Sequence, residues 1–238
     1  MTVRREFVGT FAGLRVLELG SVPAAAYCGR IFGDFGAEVI RAEPADGDPV
    51  RRQAPLIDIG NGRGEGAWSM ALNANKRSVP LGDDPAAMIA ALSRDADVLI
   101  DGLGPVDRER VGLDHDALRV ANPYLIVVAV SWFGESGPYR DYAATELTCR
   151  ALAGMAYLVG PAEGPPTPLP DYQGDVMGGL NAFSVACAAL HARNDLRGRR
   201  IEASVLDSTI TLAEYNVALD WIAGRRDHRW GKNRLWPN

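Results

Sequence analysis

Asp175 is the residue of this chain best placed to do chemistry. It lies in Tyr172-Gln-Gly-Asp175-Val-Met-Gly178-Gly179-Leu180-Asn-Ala182. Before that stretch runs a Pro-rich loop, Gly164-Pro-Pro-Thr-Pro-Leu-Pro170; after it comes an apolar run through Phe183, Val185, Cys187 and Leu190 toward Arg193. Turn-forming residues stop the chain and the apolar run starts a helix, so Asp175 is expected at the helix start. Unpaired backbone N–H groups and the positive end of the helix dipole would keep its carboxylate ionised there. Gly178 and Gly179 take side chains away from the first turns, so a ligand of some size has room against the backbone. The plain alternative is an N-cap followed by close helix packing, because Asp is a preferred cap.

The elements that must position this carboxylate alternate in type. Arg15-Val-Leu-Glu-Leu19 reads as a strand, Ala24 to Phe35 as a helix rich in small residues, and Glu38-Val-Ile-Arg-Ala42 as a second strand. A loop of Gly, Asp and Arg residues spans Ala45 to Gly66, and Arg77-Ser-Val-Pro-Leu81 follows as a strand and Pro85 to Ser93 as a helix. Asp97-Val-Leu-Ile100 and Leu125-Ile-Val-Val-Ala-Val130 have the unbroken apolar character of strands buried on both faces. Helices from Glu146 to Met155, after Asp175 and from Asp207 to Ile222, with a strand at Arg200-Ile-Glu-Ala-Ser-Val205, complete the pattern. Such alternation predicts an α/β, doubly wound, mostly parallel sheet flanked by helices, with ligands beyond the carboxyl ends of its strands. Residues 1–222 are expected to form this Rossmann-like domain, and 223–238 a basic, aromatic tail that is either solvated or set against a partner.

A dinucleotide-binding reading fails at its fingerprint. Glu43 closes the second strand as a ribose-binding acid would, but the first strand leads into Gly20-Ser-Val-Pro-Ala-Ala-Ala rather than G-x-G-x-x-G. No nicotinamide or flavin is therefore expected. The three cysteines and three histidines are scattered, which argues against a metal site and fits reduced thiols in a cytoplasmic protein. A net charge of -5 gives no bulk attraction to nucleic acid, and every apolar run is too short to span a membrane. With 47% hydrophobic residues the chain has ample material for a large core.

Taken together, several segments resemble one known family. They are Gly13-Leu-Arg-Val-Leu-Glu-Leu19, Tyr27-Cys-Gly-Arg-Ile-Phe-Gly-Asp-Phe-Gly-Ala-Glu-Val-Ile-Arg-Ala-Glu-Pro44, Asn73-Ala-Asn-Lys-Arg-Ser-Val79, Asn122-Pro-Tyr-Leu-Ile126, Phe133-Gly-Glu-Ser-Gly-Pro-Tyr139 and the Gly174-Asp175 segment. In order and spacing they are similar to the family III CoA-transferases, which include formyl-CoA transferase, carnitine CoA-transferase and α-methylacyl-CoA racemase. The likeness runs from about Leu14 to Asp207. It implies that Asp175 is the nucleophile that moves coenzyme A from an acyl-CoA to a carboxylic acid through an aspartyl-CoA thioester, with Glu146 beside the site. It implies further that Ser21, Val22, Pro23 and Ala24 line the pantetheine path, and that Arg41, Lys76, Arg77 and Arg110 are suited to the adenosine phosphates. For each cation a surface charge or ion pair is the alternative, and for Glu146 an ordinary first-turn acid.

Three departures qualify the resemblance. The histidine of the racemase branch falls on Thr145, which disfavours racemisation. The family's Asn-Phe after the fourth strand is Gly102-Leu103 here. Family chains are also longer, continuing into a small second domain that this chain mostly lacks. The expectation is therefore a homo-oligomer, or a heteromer whose second chain supplies the missing half; a free-standing remnant that binds acyl-CoA without turnover and a truncated form remain open.

Overall fold

A computed structural model describes residues 9–167, 169–193, 197–224 and 229. The tail expected at 223–238 lies almost wholly outside the described residues, as does His228. In chain order the elements begin β1 (Arg15–Gly20), α1 (Pro23–Asp34), β2 (Glu38–Glu43), the hairpin strands β3 (Leu56–Asp58) and β4 (Gly64–Gly66), α2 (Ala67–Leu72) and β5 (Lys76–Pro80). There follow α3 (Pro85–Ser93), β6 (Val98–Gly102), α4 (Pro105–Val111), α5 (His115–Ala121), β7 (Ile126–Ser131), α6 (Glu146–Leu152) and α7 (Met155–Leu158). The last are α8 (Gln173–Ala192), β8 (Arg200–Ser204), α9 (Val205–Ile210) and α10 (Glu214–Ala223).

The main sheet has six strands in the order β5-β2-β1-β6-β7-β8, and every pairing in it is parallel. The doubly wound expectation therefore holds. β6 and β7 are the unbroken apolar runs of the sequence, and Val98, Leu99, Ile100 and Val127 to Val130 are fully buried between two helical layers. On one face β1, β6 and β7 pack against α1 and α8 through Val16, Phe32, Ile100, Val128 and Phe183; on the other, Leu17, Leu19 and Leu99 meet Ile89, Val111 and Leu118 of the helices α3 to α5. Strand filling reverses between β1 and β6, which opens a crevice at their carboxyl ends. Gly20 and Gly102 are register partners there, and Gly20 has φ +89°, with its missing Cβ directed 2.2 Å from the Gly102 carbonyl carbon.

Local chemistry explains most helix starts. Pro occupies the first turn of α1, α3 and α4, and Asp84, Asp114, Thr145 and Ser204 cap α3, α5, α6 and α9. Several expected boundaries shift. The helix from Glu146 stops at Leu152, and the expected Asp207–Ile222 helix divides into α9, a 3-10 turn at Thr211–Ala213 and α10. The Ala45–Gly66 loop holds a 3-10 turn at Pro49–Arg52 and the β3–β4 hairpin.

α1 and α8 press together closely. A Cβ on Gly179 would lie 2.7 Å from the Ala24 carbonyl oxygen and 2.8 Å from Tyr27 Cβ; one on Gly178 would lie 3.0 Å from Val205 Cγ2. The glycine pair thus serves helix packing and leaves no room for a ligand, which corrects the first expectation for it. Gly179→Ala is expected to cost about 1–3 kcal/mol by forcing backbone apart in a packed interface, read as a lowered urea midpoint with unchanged m-value.

Candidate active site

Asp175 lies in the first turn of α8, two residues past its start, rather than at the cap. The N-cap is Tyr172, held at φ 71° with no side-chain cap bond, while its ring stacks on Trp68 at 4.3 Å. Asp175 is 1% exposed, and neither carboxylate oxygen has a hydrogen-bond partner of normal geometry among the described residues. Burial, and then the Glu146 carboxylate, push its pKa up to about 7, against the pull of the Ala24 backbone N–H and the Arg150 charge. The expectation that the helix dipole keeps this group ionised is thus corrected. Desolvation and a like charge outweigh the dipole, and near neutrality the group is poised between its two forms.

Glu146 and Arg150 hold the start of α8 in place. Glu146 Oε1 accepts the Gly174 N–H at 2.8 Å, and its Oε2 accepts from Arg150 Nη2 at 2.7 Å. Arg150, 3% exposed, also donates to the Leu169 carbonyl at 2.8 Å, so it ties the Pro-rich loop to α6 and the first turn of α8. Gly174 leaves the space this needs, since a Cβ there would sit 3.4 Å from Glu146 Oε1. Arg150 was not singled out from the sequence. An arginine four residues after a glutamate reads as a surface i,i+4 pair until burial is known. Cys149, buried beside the pair, has its thiol pushed up to about 12 by burial, Asp175 and Glu146, and is inert at neutral pH. Glu146→Gln is expected to lower the Asp175 pKa while keeping the Gly174 contact, moving the pH midpoint of any Asp175-dependent reaction downward; the pH–rate profile checks it.

The other sequence candidates divide into two groups. Pro23 opens α1 and buried Ala24 turns its N–H toward Asp175. Ser21 lines a cleft of about 280 Å³ at the ends of β1 and β2, with Pro44, Asp107 and Arg110. Val22 lines a wider cleft of about 790 Å³ over the ends of β6 and β7. Leu103, just past the crevice, borders both. Arg110 is exposed and, among the described residues, pairs with Asp107 at 2.9 Å, so it can turn to a new anion.

Arg41, Lys76 and Arg77 are placed otherwise. Arg41 is 2% exposed and bonded to Glu18 and Asp48, with the Gly20 carbonyl at 3.1 Å. Lys76 Nζ lies 2.8 Å from Glu18 Oε2 and donates to the Ala26 carbonyl at 2.7 Å. Both cations are thus paired with the fully buried Glu18, for which Gly29 leaves room, at the floor of a cleft of about 360 Å³ that Arg51 and Arg63 also line. Arg77 pairs across β5 and β2 with Glu38 at the amino end of the sheet, opposite the crevice. Glu43 accepts both Arg51 Nη2 (2.6 Å) and Nε (2.9 Å); although burial raises its pKa, these bonds and that of Ser78 bring it down to about 2. Its charge serves that ion pair.

A family model described as CoA-transferase family III matches residues 11–236. The chain belongs to CoA-transferase family III. Among curated members it is 32% identical over 228 residues to a succinate–glutarate CoA-transferase of Agrobacterium fabrum, covering 92% of this chain and 57% of that one. It is 34% identical over 209 residues to the beta subunit of a succinyl-CoA–L-malate CoA-transferase of Chloroflexus aurantiacus, covering 85% and 51%. A crystal structure of a CAIB/BAIF family protein from Brucella suis superimposes with a TM-score of 0.89 at 26% identity, covering 95% of this chain and 61% of that one. The chain thus spans between half and two thirds of the length of these family members. Thr145 is taken up in the α6 capping box, while His115 is held between Asp101 and Arg200. All three cysteines are free, with Cys187 only half-buried. Among the described residues no helix is long and apolar enough to cross a membrane, and no His, Cys, Asp and Glu cluster could hold a metal.

Proposed function

We propose that the chain carries the nucleophilic half of a CoA-transferase, with Asp175 attacking the thioester of an acyl-CoA. The observation that carries this reading is the buried Asp175 carboxylate, with a pKa near 7 and the Ala24 N–H turned toward it. A carboxylate in water is a weak nucleophile; one stripped of hydrogen bonds is more reactive, provided that burial does not keep it protonated. A pKa near 7 meets both needs. An Asp175 oxygen adds to the thioester carbonyl and expels CoA thiolate, giving an acyl-aspartyl anhydride. The thiolate then attacks the aspartyl carbonyl and releases the acyl group as a carboxylate, leaving an aspartyl-CoA thioester. An acceptor carboxylate repeats the two steps in reverse and leaves with CoA. The Ala24 N–H, at the start of α1, is suited to the oxyanion of each tetrahedral intermediate. Arg110 and Ser21 are assigned to the phosphate and pantetheine ends, and the cations of Glu18 are left out.

A second chain is part of the proposal. α10 exposes Trp221 and Ile222 at 88% and 82%, and Leu147, Leu152 and Tyr157 of α6 and α7 are more than half exposed. α6 packs against both α7 and α8, and the exposed apolar residues of α6 and α7, together with those of α10, suit a covering polypeptide. A succinyl-CoA–L-malate CoA-transferase of Chloroflexus aurantiacus is described by alpha and beta subunits, both similar to this chain.

The second reading, a subunit that binds acyl-CoA without turnover, is favoured by one observation: Asp175 is sealed from solvent and lines neither cleft. Intact-protein mass spectrometry after exposure to acyl-CoAs, with and without hydroxylamine, separates the two. A hydroxylamine-labile adduct on Asp175 is the expected result for the chain with whatever partner co-purifies. CoA binding with no adduct in either preparation would leave the binding subunit.

A further inference from the structure

The wide cleft is built for a particular kind of acyl group. If the reading above places the thioester at Ala24 and Asp175, a CoA ester with its phosphates near Arg110 crosses Ser21 and Leu103 and delivers its acyl group to the wide cleft, which begins at Val22. We propose that this cleft selects an apolar acyl group, aromatic or aliphatic, that carries no second carboxylate.

Two properties of the lining carry the inference. The first is its apolar wall. Val22, Val106, Val130, Trp132, Phe133 and Tyr142 contribute to it, and Phe133, Tyr139 and Tyr142 form a run of ring contacts at 6.1 and 5.4 Å. Val106 is 78% exposed and Tyr142 63%, so an apolar group entering the cleft removes both from water. The second is charge. The cations of the lining are Arg108 and Arg140, and its carboxylates are Glu135 and Asp141. Arg108 is held by Asp101 at 2.6 Å and by Glu135, which is also bonded to Arg200; Arg140 is held by Asp141 at 3.0 Å. Each cation already has a carboxylate, and the sum is zero. A second carboxylate on the acyl group would have to displace one of these or rest unpaired against rings and Glu135, and both cost affinity. The succinyl group named for several relatives carries such a carboxylate, and on this proposal it is disfavoured in the cleft of this chain.

The test is binding to full-length Asp175→Asn, co-purified with any native partner, so that no turnover intervenes. Isothermal titration calorimetry with CoA, phenylacetyl-CoA, hexanoyl-CoA and succinyl-CoA is expected to show the two apolar esters binding at least about tenfold more tightly than succinyl-CoA. Phe133→Ala is expected to remove most of that gain. Tyr142→Ser, at the exposed mouth, gives the same direction should the first variant not fold. Succinyl-CoA binding as tightly as the apolar esters, or a gain untouched by both substitutions, overturns the proposal while the transferase reading stands. Failure of every CoA ester to bind, with no adduct on wild-type Asp175, overturns that reading instead.

Discussion

Asp175→Asn is expected to abolish CoA transfer, by roughly 10⁴-fold or more, because the nucleophile itself is removed while the shape of the site is kept. The same substitution is expected to change stability with a sign opposite to that of an ordinary active-site loss. The native pKa of Asp175, raised from 3.8 to about 7, means that the folded state holds a proton which the unfolded chain releases between those values. This group's contribution to stability is therefore fully present below about pH 4, is lost as pH rises through 7, and is constant above that. At 1.36 kcal/mol per unit the span is about 4 kcal/mol as an upper figure for this 1% exposed side chain. Wild type is thus expected to lose stability between pH 5 and 8 by more than Asp175→Asn does, measured by urea unfolding at both pH values. In the wild type, transfer should rise with pH to a plateau above 7, since only the ionised carboxylate attacks. A flat profile across that range, or equal pH dependence of stability in both proteins, would overturn the assignment of a raised pKa.

Arg41→Ala is expected to destabilise the fold by about 3–5 kcal/mol, the cost of leaving buried carboxylates without their partner. Glu18 is fully buried and Asp48 is 2% exposed, and Arg41 bonds to both while Lys76 reaches Glu18 from the other side. Burial alone lowers the affinity of both cations for a proton. At Arg41 the charges of Glu18 and Asp48 more than reverse this, whereas the Lys76 pKa remains lowered. The network closes the carboxyl end of β1 onto β2 and the 3-10 turn after it, so the damage falls on the Gly20–Ala24 segment as well. Chemical denaturation of the purified variant measures the loss. A surface cation serving only a phosphate would cost less than about 0.5 kcal/mol on removal and would leave the unfolding midpoint in place. That smaller outcome would return Arg41 to the ligand site.

Alternation of apolar strands with helices specified the doubly wound sheet, because unbroken runs such as Leu125 to Val130 have only one stable home, between two helical layers. The failed fingerprint after β1 and the Asp175 segment were legible too, since both depend on residue types at fixed spacing along one stretch. The alternative readings needed distances between stretches far apart in the chain. In sequence, Arg41 and Arg110 are equally arginines suited to a phosphate. The fold buries the first against Glu18 and Asp48 and leaves the second exposed at the rim of a cleft. Gly178 and Gly179 leave open either ligand room or helix contact until α1 is placed, and α1 fills that space with Ala24 and Tyr27. The charge state of Asp175 follows the same rule. Its sequence position offers the local helix dipole, a first-turn effect, while its pKa is governed by water exclusion and by Glu146, twenty-nine residues earlier in the chain and brought alongside by α6. Local spacing thus determined the family and the layers and singled out the carboxylate proposed as nucleophile. Burial and charge pairing across the chain, which exist only once α1, α6 and α8 have packed, decided which cations are free and how that carboxylate is poised.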